Sequence, residues 1–288
     1  MYSSNFDYYR ARSLADAHAL MAAHPGAKVL AGGHSLLPLL KLRLAAPLAV
    51  VDIGRVPELR GITRQGDQIA IGALTTHAEL AASADLRAAA PALSQAAAMI
   101  GDPAVRNRGT IGGNVAHADP ASDLPTVLVA LNARVIVAGP NGQRSVPAEE
   151  FFTGIMMTAL EDDEILIAVQ VPAGVRGQGS AYEKFSHPAS RYAVIGAAAL
   201  VSVKDGICAA ARVAIGGLLP SARRVTAVEA ALTGKALSEA TIADAANRVA
   251  SDLGNDVSGD LFASAEYRSA MAPVYVKRAI AAAAARAQ

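Results

Sequence analysis

Short apolar runs, broken by glycine, proline and polar turns, fill most of the chain. Ser13 is placed to cap a helix from Leu14 to about His24, closed by Pro25-Gly26. Lys28–Ala31 reads as a short strand running into Gly32-Gly33-His34-Ser35, Leu36–Leu42 as a helical turn or two, and Leu48–Ile53 as a buried strand. Gly61–Arg64 and Gln68–Ala73 form a predicted hairpin around Gln65-Gly66-Asp67. Apolar helices fit near Thr76–Ala82 and Asp85–Ile100. Residues 101–120, rich in Gly, Asn and Asp, show little periodicity and are expected to be irregular. A helix over Asp123–Leu131, a strand over Arg134–Ala138, a turn at Pro140-Asn141-Gly142 and a strand over Glu164–Val171 follow.

The stretch Pro172–Ser180 is dense in small and helix-breaking residues, and a domain boundary is expected there. Beyond it, strands are predicted at Ala181–Ser186, Ala193–Val203 and Ile207–Ile215, then helices near Arg224–Leu232, Glu239–Leu253 and Ala265–Arg286. Pro273 should kink or interrupt the last helix. The expected class is α+β in two parts, residues 1–176 (subdivided near 1–55 and 56–176) and 177–288, the second built on a three-stranded sheet with helices.

Composition narrows the function. The 26 Lys and Arg against 25 Asp and Glu give a net charge of +1, which argues against nucleic-acid binding by phosphate neutralisation. One cysteine, Cys208, cannot form an internal disulfide, a cysteine-ligated zinc site or an iron–sulfur cluster, so no metal site is expected on this chain and a reducing cytoplasm is the expected setting. The apolar runs are shorter than the roughly 20 residues that span a bilayer, so any membrane attachment, at the inner face, is expected to be through partners.

The familiar nucleotide and nucleophile signatures are incomplete. Gly177-Gln178-Gly179 lacks the third glycine of a dinucleotide fingerprint, and Gly33-His34-Ser35 lacks the closing glycine of a nucleophile elbow. What stands out is two glycine pairs 80 residues apart, in Ala31-Gly32-Gly33-His34-Ser35 and in Thr110-Ile111-Gly112-Gly113-Asn114. Paired glycines allow a sharp turn and a close ligand approach, and freed backbone N–H groups can form an anion nest. Ser35 and Thr110 can add hydroxyl donors. Either pair alone is an ordinary tight turn; two of them converging on one diphosphate would be a site.

The segments AGGHSLLPLLKLRLAAP (31–47) and GDPAVRNRGTIGGNVAHADPASDLP (101–125) closely resemble the FAD-binding medium subunit of molybdenum hydroxylases, the family of the carbon monoxide dehydrogenase flavoprotein and of the xanthine dehydrogenase FAD domain. The resemblance extends over essentially the whole chain. It implies an FAD-binding module of the vanillyl-alcohol-oxidase (PCMH) type, followed by a small α+β carboxy-terminal domain. It also implies roles for single residues. Ala31, Gly32, Gly33, His34 and Ser35 would hold the FAD pyrophosphate through backbone N–H groups, His34 mainly through its backbone. Thr110, Ile111, Gly112, Gly113 and Asn114 would close on it from the other side. Ser122 and Asp123 would belong to the flavin pocket, Leu166 would pack on the isoalloxazine ring, Lys184 would lie near the flavin's polar edge, and Tyr192 would gate access to its face. His77 would be a further contact, with a satisfied structural histidine as the plain alternative. Asp102 and Arg106 would form an ion pair shaping the second bend.

The resemblance further implies non-covalent FAD on this chain, a large subunit with molybdenum cofactor, and a small subunit with two 2Fe-2S clusters, arranged as a dimer of heterotrimers. Electrons would arrive from the clusters and leave to a quinone, NAD or oxygen. Two other readings stay open at this level: a non-catalytic nucleotide-binding assembly module, and a stand-alone flavin oxidase, for which the carboxy-terminal part looks too small to enclose a substrate.

Overall fold

The computed structural model describes residues 2–287 and contains three main sheets. The first is parallel, in the order Asp7–Arg10, Ala49–Asp52, Lys28–Leu30. Parallel strands need crossovers: the helix Leu14–Ala23 carries the chain between the two outer strands, and the segment holding the helix Leu36–Lys41 returns it to the central one. The amino terminus of Leu14–Ala23 is set as expected, with Ser13 accepting from the Asp16 N–H. The strand Asp7–Arg10 has no buried residue, so no alternation in the sequence announces it.

The second sheet has five strands in the order Ile62–Gln65, Gln68–Gly72, Ile165–Pro172, Arg134–Gly139, Gly142–Pro147. The apolar strand Ile165–Pro172 is central, and its register against Arg134–Gly139 shifts between Leu166 and Ala168. Such a bulge re-aims neighbouring side chains. The edge strand Gly142–Pro147 is exposed over its first four residues, which is why the sequence pattern missed it.

The third sheet runs Gln178–Ser186, Ala193–Lys204, Ile207–Gly216, Arg223–Arg224. It therefore has four strands rather than three; the extra one is two residues long, too short to carry a period-two pattern. The helix Ala265–Arg286 packs on this sheet through Ala272, Tyr275, Val276, Ala279, Ile280 and Ala283. Gly179 permits the approach, since a Cβ there would lie 2.1 Å from the Ala283 carbonyl oxygen. Of the expected kink or interruption at Pro273, the interruption does not occur: the helix continues through it. Burial of one whole face against the sheet outweighs the one hydrogen bond that proline removes. At the far end, Arg286 donates to the Ser180 carbonyl (2.6 Å) and to Gln95 Oε1 (2.9 Å), tying this helix to the preceding layer.

Between the second and third sheets lie the helices Pro91–Met99 and Asp123–Ala130. Every residue of Asp123–Ala130 is buried, because it is covered on both sides. Three further expectations need correction. The helix read over 85–100 is two, Ala84–Ala89 and Pro91–Met99, since Pro91 has no N–H to continue the first and fits the start of the second. The helix read over 239–253 is also two, Glu239–Ala246 and Val249–Leu253, and the turn between them brings Val249 and Leu253 into the same core as Ile242 and Ala245. Finally, the stretch read as irregular over 101–120 holds the short helices Pro103–Arg106 and Ile111–His117. Side-chain caps start both: Asp102 accepts from the Val105 N–H (2.8 Å) and Thr110 from the Gly113 N–H (3.2 Å). Glycine density hid them, because glycine is a poor helix former.

Among the described residues, no helix is long and apolar enough to cross a membrane.

Candidate functional site

A cavity of about 670 Å³ opens between the first sheet, the second sheet and the loop before Ala193. Both glycine pairs line it. The first pair also packs against the chain leading into the second: a Cβ on Gly32 would fall 2.2 Å from the Arg108 carbonyl oxygen and 2.9 Å from the Gly109 Cα.

The two bends are nevertheless built differently. In the first, Gly33 has φ +79°, a left-handed turn that glycine adopts without strain. Among the described residues, no protein acceptor takes the N–H groups of Gly32, Gly33, His34 and Ser35. Ser35 stands at the N-cap of the helix Leu36–Lys41 without making a side-chain cap, so its hydroxyl is free too. In the second bend the four N–H groups of Ile111 to Asn114 are all engaged. Ile111 donates to the Thr75 carbonyl (2.9 Å), Gly112 to that of Ala73 (2.8 Å) and Asn114 to that of Thr110 (3.0 Å), while Gly113 donates to Thr110 Oγ1 (3.2 Å). An anion nest from both pairs is therefore corrected to one from the first pair alone. The second pair provides room: a Cβ on Gly112 would meet the Ala73 Cβ at 2.5 Å, whereas one on Gly113 would press on the Thr110 side chain (Oγ1 at 3.0 Å) and reach ordinary contact with the Ala31 Cβ (3.8 Å). Ile111 does not line the cavity; it is fully buried in the core under the second sheet.

Farther in, the wall becomes polar. The Ser122 hydroxyl donates to Asn114 Oδ1 at 2.7 Å. Asp123 begins the next helix and is buried beside it. Its Oδ1 accepts from the Tyr182 hydroxyl at 2.6 Å and lies 2.8 Å from Lys184 Nζ, which also reaches Oδ2 at 2.9 Å. Burial pushes the Asp123 carboxyl up, while the Lys184 ammonium and the Tyr182 hydroxyl pull it back down. Lys184 is not a solvated strand lysine: its side chain is 0% exposed. It does not line the cavity and stands behind Asp123, so any influence on a ligand passes through that carboxylate.

His77 lines the cavity at the start of the helix His77–Ala82, which is fixed by a reciprocal capping box between Thr76 and Glu79. Its backbone donates to the Gly109 carbonyl at 3.0 Å, another tie to the second bend. Burial, with His34 and Arg106 nearby, lowers its pKa to about 4, so the ring is neutral at physiological pH. The buried Nδ1 has no hydrogen-bond partner in the protein, an arrangement that a ligand would satisfy.

Leu166, at the bulge, faces the cavity. Tyr192 sits 44% exposed at its mouth. The loop that carries Tyr192 is closed by hydrogen bonds from the His187 N–H to the Tyr192 carbonyl and from the Arg191 N–H to the His187 carbonyl. Arg191 has φ +61°, sparsely populated for a residue with a Cβ. Met156, at φ +53°, also lines the cavity. The expected Asp102–Arg106 ion pair is absent. Asp102 is occupied as a helix cap, and Arg106 donates to the Ile100 and Gly101 carbonyls (2.9 and 3.0 Å).

Sequence reasoning missed Ile100, Val105, Gly109, Met156 and Thr158, all of which line the cavity. Val105 and Gly109 lie in the stretch read as irregular, Ile100 at the end of the helix expected before it, and nothing in the local pattern marks the others. Among the described residues, no group of three or more His, Cys, Asp or Glu is placed to hold a metal ion.

The cavity thus joins a backbone donor patch suited to an anion, an apolar wall of Leu166 and Ile100, and a buried polar end at Asn114, Ser122 and Asp123. Its size lies in the range of cofactor sites. This arrangement fits FAD, whose diphosphate, flat apolar ring system and ring N–H and C=O groups need those three surfaces.

Comparison with known proteins agrees. The family described as the FAD binding domain in molybdopterin dehydrogenase matches residues 4–174, and the CO dehydrogenase flavoprotein C-terminal domain matches residues 180–283. The chain is 41% identical over 290 residues to the carbon monoxide dehydrogenase medium chain of Hydrogenophaga pseudoflava, covering 99% of each. It is 40% identical to the 6-hydroxypseudooxynicotine dehydrogenase complex subunit alpha of Paenarthrobacter nicotinovorans, covering 96% of this chain and 94% of that one. A solved structure of the Hydrogenophaga pseudoflava carbon monoxide dehydrogenase, in a form lacking the Mo-pyranopterin moiety, superposes with a TM-score of 0.95 at 43% identity, covering 99% of each chain. The chain belongs to the FAD-binding medium subunits of the molybdenum hydroxylases.

Proposed function

We propose that this chain holds one FAD non-covalently in the cavity described and carries electrons between a partner's 2Fe-2S clusters and an external acceptor. The observation that carries this reading is the row of unengaged N–H groups at Gly32–Ser35, set against the Arg108–Gly109 segment that leads into the second glycine bend, in a cavity that ends at a buried carboxylate. Ala31, Gly32, Gly33, His34 and Ser35 bind the diphosphate. Thr110, Gly112 and Gly113 shape the passage beside it. Asn114, Ser122 and Asp123 orient the ring's polar edge, Leu166 packs on its face, His77 offers Nδ1 to the cofactor, and Tyr192 screens the mouth. Ile111 and Lys184 act from behind these residues. When bound, FAD supplies an electron store that amino-acid side chains do not provide. This chain positions it, excludes water from its buried end and fixes the charge beside it.

The domain division proposed is 1–176 for the FAD-binding part, of vanillyl-alcohol-oxidase type, and 177–288 for the carboxy-terminal part. The relatives support a large molybdenum-cofactor subunit and a small 2Fe-2S subunit as partners; the assembly proposed with them is a cytoplasmic dimer of heterotrimers, with quinone, NAD or oxygen as acceptor. Relatives named for carbon monoxide and for 6-hydroxypseudooxynicotine, at about 40% identity each, support a reading in which substrate choice lies on the large subunit rather than in this cavity. The test is direct. The purified full-length protein should show a flavin absorbance band and release FAD on denaturation at about one per chain. Protein that folds yet neither retains nor rebinds FAD would end this reading, and substrate turnover by the chain alone would favour a stand-alone oxidase.

A further inference from the structure

Tyr182 is the largest fully buried side chain, and it lies outside the cavity. Its hydroxyl is nevertheless bonded to a residue that lines it, the 2.6 Å contact with Asp123 Oδ1. Space for that hydroxyl is reserved on the neighbouring strand: a Cβ on Gly196 would come within 2.5 Å of it. Gly196 pairs in register with Gly216, where a Cβ would fall 2.2 Å from Thr126 Oγ1 on the Asp123–Ala130 helix. Two adjacent strands therefore carry side-chain gaps that seat this tyrosine and the helix bearing Asp123. On the other side the backbone N–H of Tyr182 donates to Gln95 Oε1 at 3.2 Å, which helps fix the strand against the helix Pro91–Met99.

We infer that Tyr182 is the positioning residue of the site, clamping the Asp123 carboxylate together with Lys184 and setting how much negative charge that carboxylate presents to the cavity. The Tyr182 hydroxyl is bonded to Oδ1, and Lys184 Nζ stands within 2.9 Å of both oxygens, donating to Oδ2. Burial raises the Tyr182 hydroxyl well above its ordinary pKa, so it remains a donor throughout the physiological range. Removing the hydroxyl leaves the ring and its packing in place but frees part of the carboxylate charge. A more negative Asp123 disfavours adding electrons to a nearby acceptor group. The inference rests on the assignment of FAD to this cavity.

The test uses the full-length protein, purified with whatever subunits accompany it, as parent, Tyr182→Phe, Asp123→Asn and the double variant. FAD affinity is read from fluorescence on reconstitution, and the midpoint potential from dye equilibration. Tyr182→Phe should bind FAD roughly tenfold more weakly, the scale of losing a hydrogen bond to a charged group. It should also shift the potential to a more negative value. In the Asp123→Asn background the same change should move neither quantity further. Should Tyr182→Phe fail to accumulate, Gly196→Ala, whose methyl would crowd the hydroxyl, should give the same shifts. A lower melting temperature with parental affinity and potential, or shifts that persist in full without the Asp123 carboxylate, would overturn the inference while leaving the FAD site standing. A folded parent that binds no FAD would overturn both.

Discussion

The two glycine bends look interchangeable in the sequence and do opposite things in the fold. At Gly32–Ser35 the backbone donors are left free and the turn is left-handed at Gly33. At Ile111–Asn114 all four donors are engaged, and the glycines matter for the side chains they lack. A glycine pair can thus contribute hydrogen-bond donors or clearance. Only the neighbours decide which, here Ala73, Thr75 and Thr110, which accept the N–H groups of Ile111 to Asn114.

Substitutions can break this comparison. Gly32→Val should have the largest effect, since its Cβ would collide with backbone rather than with a movable side chain. A loss of about 4 kcal/mol or more is expected, seen as a collapse in melting temperature together with complete loss of FAD. Asp123→Ala comes next: it strands the buried Lys184 ammonium, a change that costs about 3–5 kcal/mol in buried pairs. Chemical denaturation should show a marked loss of stability even in flavin-free protein.

His77 gives an effect of intermediate size with a defined sign. In the unfolded chain its imidazole protonates near the ordinary pKa of about 6.5, whereas in the fold it resists until about 4. Between those values the unfolded state binds more protons, so stability falls as pH drops through the window and is flat above it. From pH 7 to pH 5 the expected loss is about 2 kcal/mol. Urea titrations of parent and His77→Asn should show a smaller pH-dependent loss in the variant; equal losses would mean His77 is not the group responsible.

Gly113→Val sharpens the contrast with Gly32. Its Cβ would press on one side-chain atom, Thr110 Oγ1 at 3.0 Å, rather than on backbone, so flavin-free stability should fall by only about 1–2 kcal/mol while FAD content falls at least roughly tenfold. Tyr192→Phe should be the mildest. Stability and FAD content should match the parent within about 0.5 kcal/mol for an exposed site, while stopped-flow reoxidation of the reduced protein should change rate.

The parts of the site legible in the sequence were those whose chemistry is local. A strand ending in two glycines announces a bend, and the family motifs around residues 31–47 and 101–125 mark both bends and Asp123. Ser13 and the Gly61–Ala73 hairpin were legible for the same reason, since caps and turns are decided by a few consecutive residues. The strand Asp7–Arg10 was not, because it has no buried face, and neither were the helices at 103–106 and 111–117, whose glycines oppose helix formation until Asp102 and Thr110 cap them.

The sequence by itself determined that the backbone turns sharply at Gly32-Gly33, that a carboxylate stands at 123, and that no cluster of cysteines is present. Tertiary structure alone decided which bend keeps its donors, that Lys184 stands behind Asp123, and that Tyr182 reaches it from a strand 59 residues away. Hydrogen-bond partners and burial across such separations are set by how sheets and helices pack, and no short stretch of chain encodes that packing.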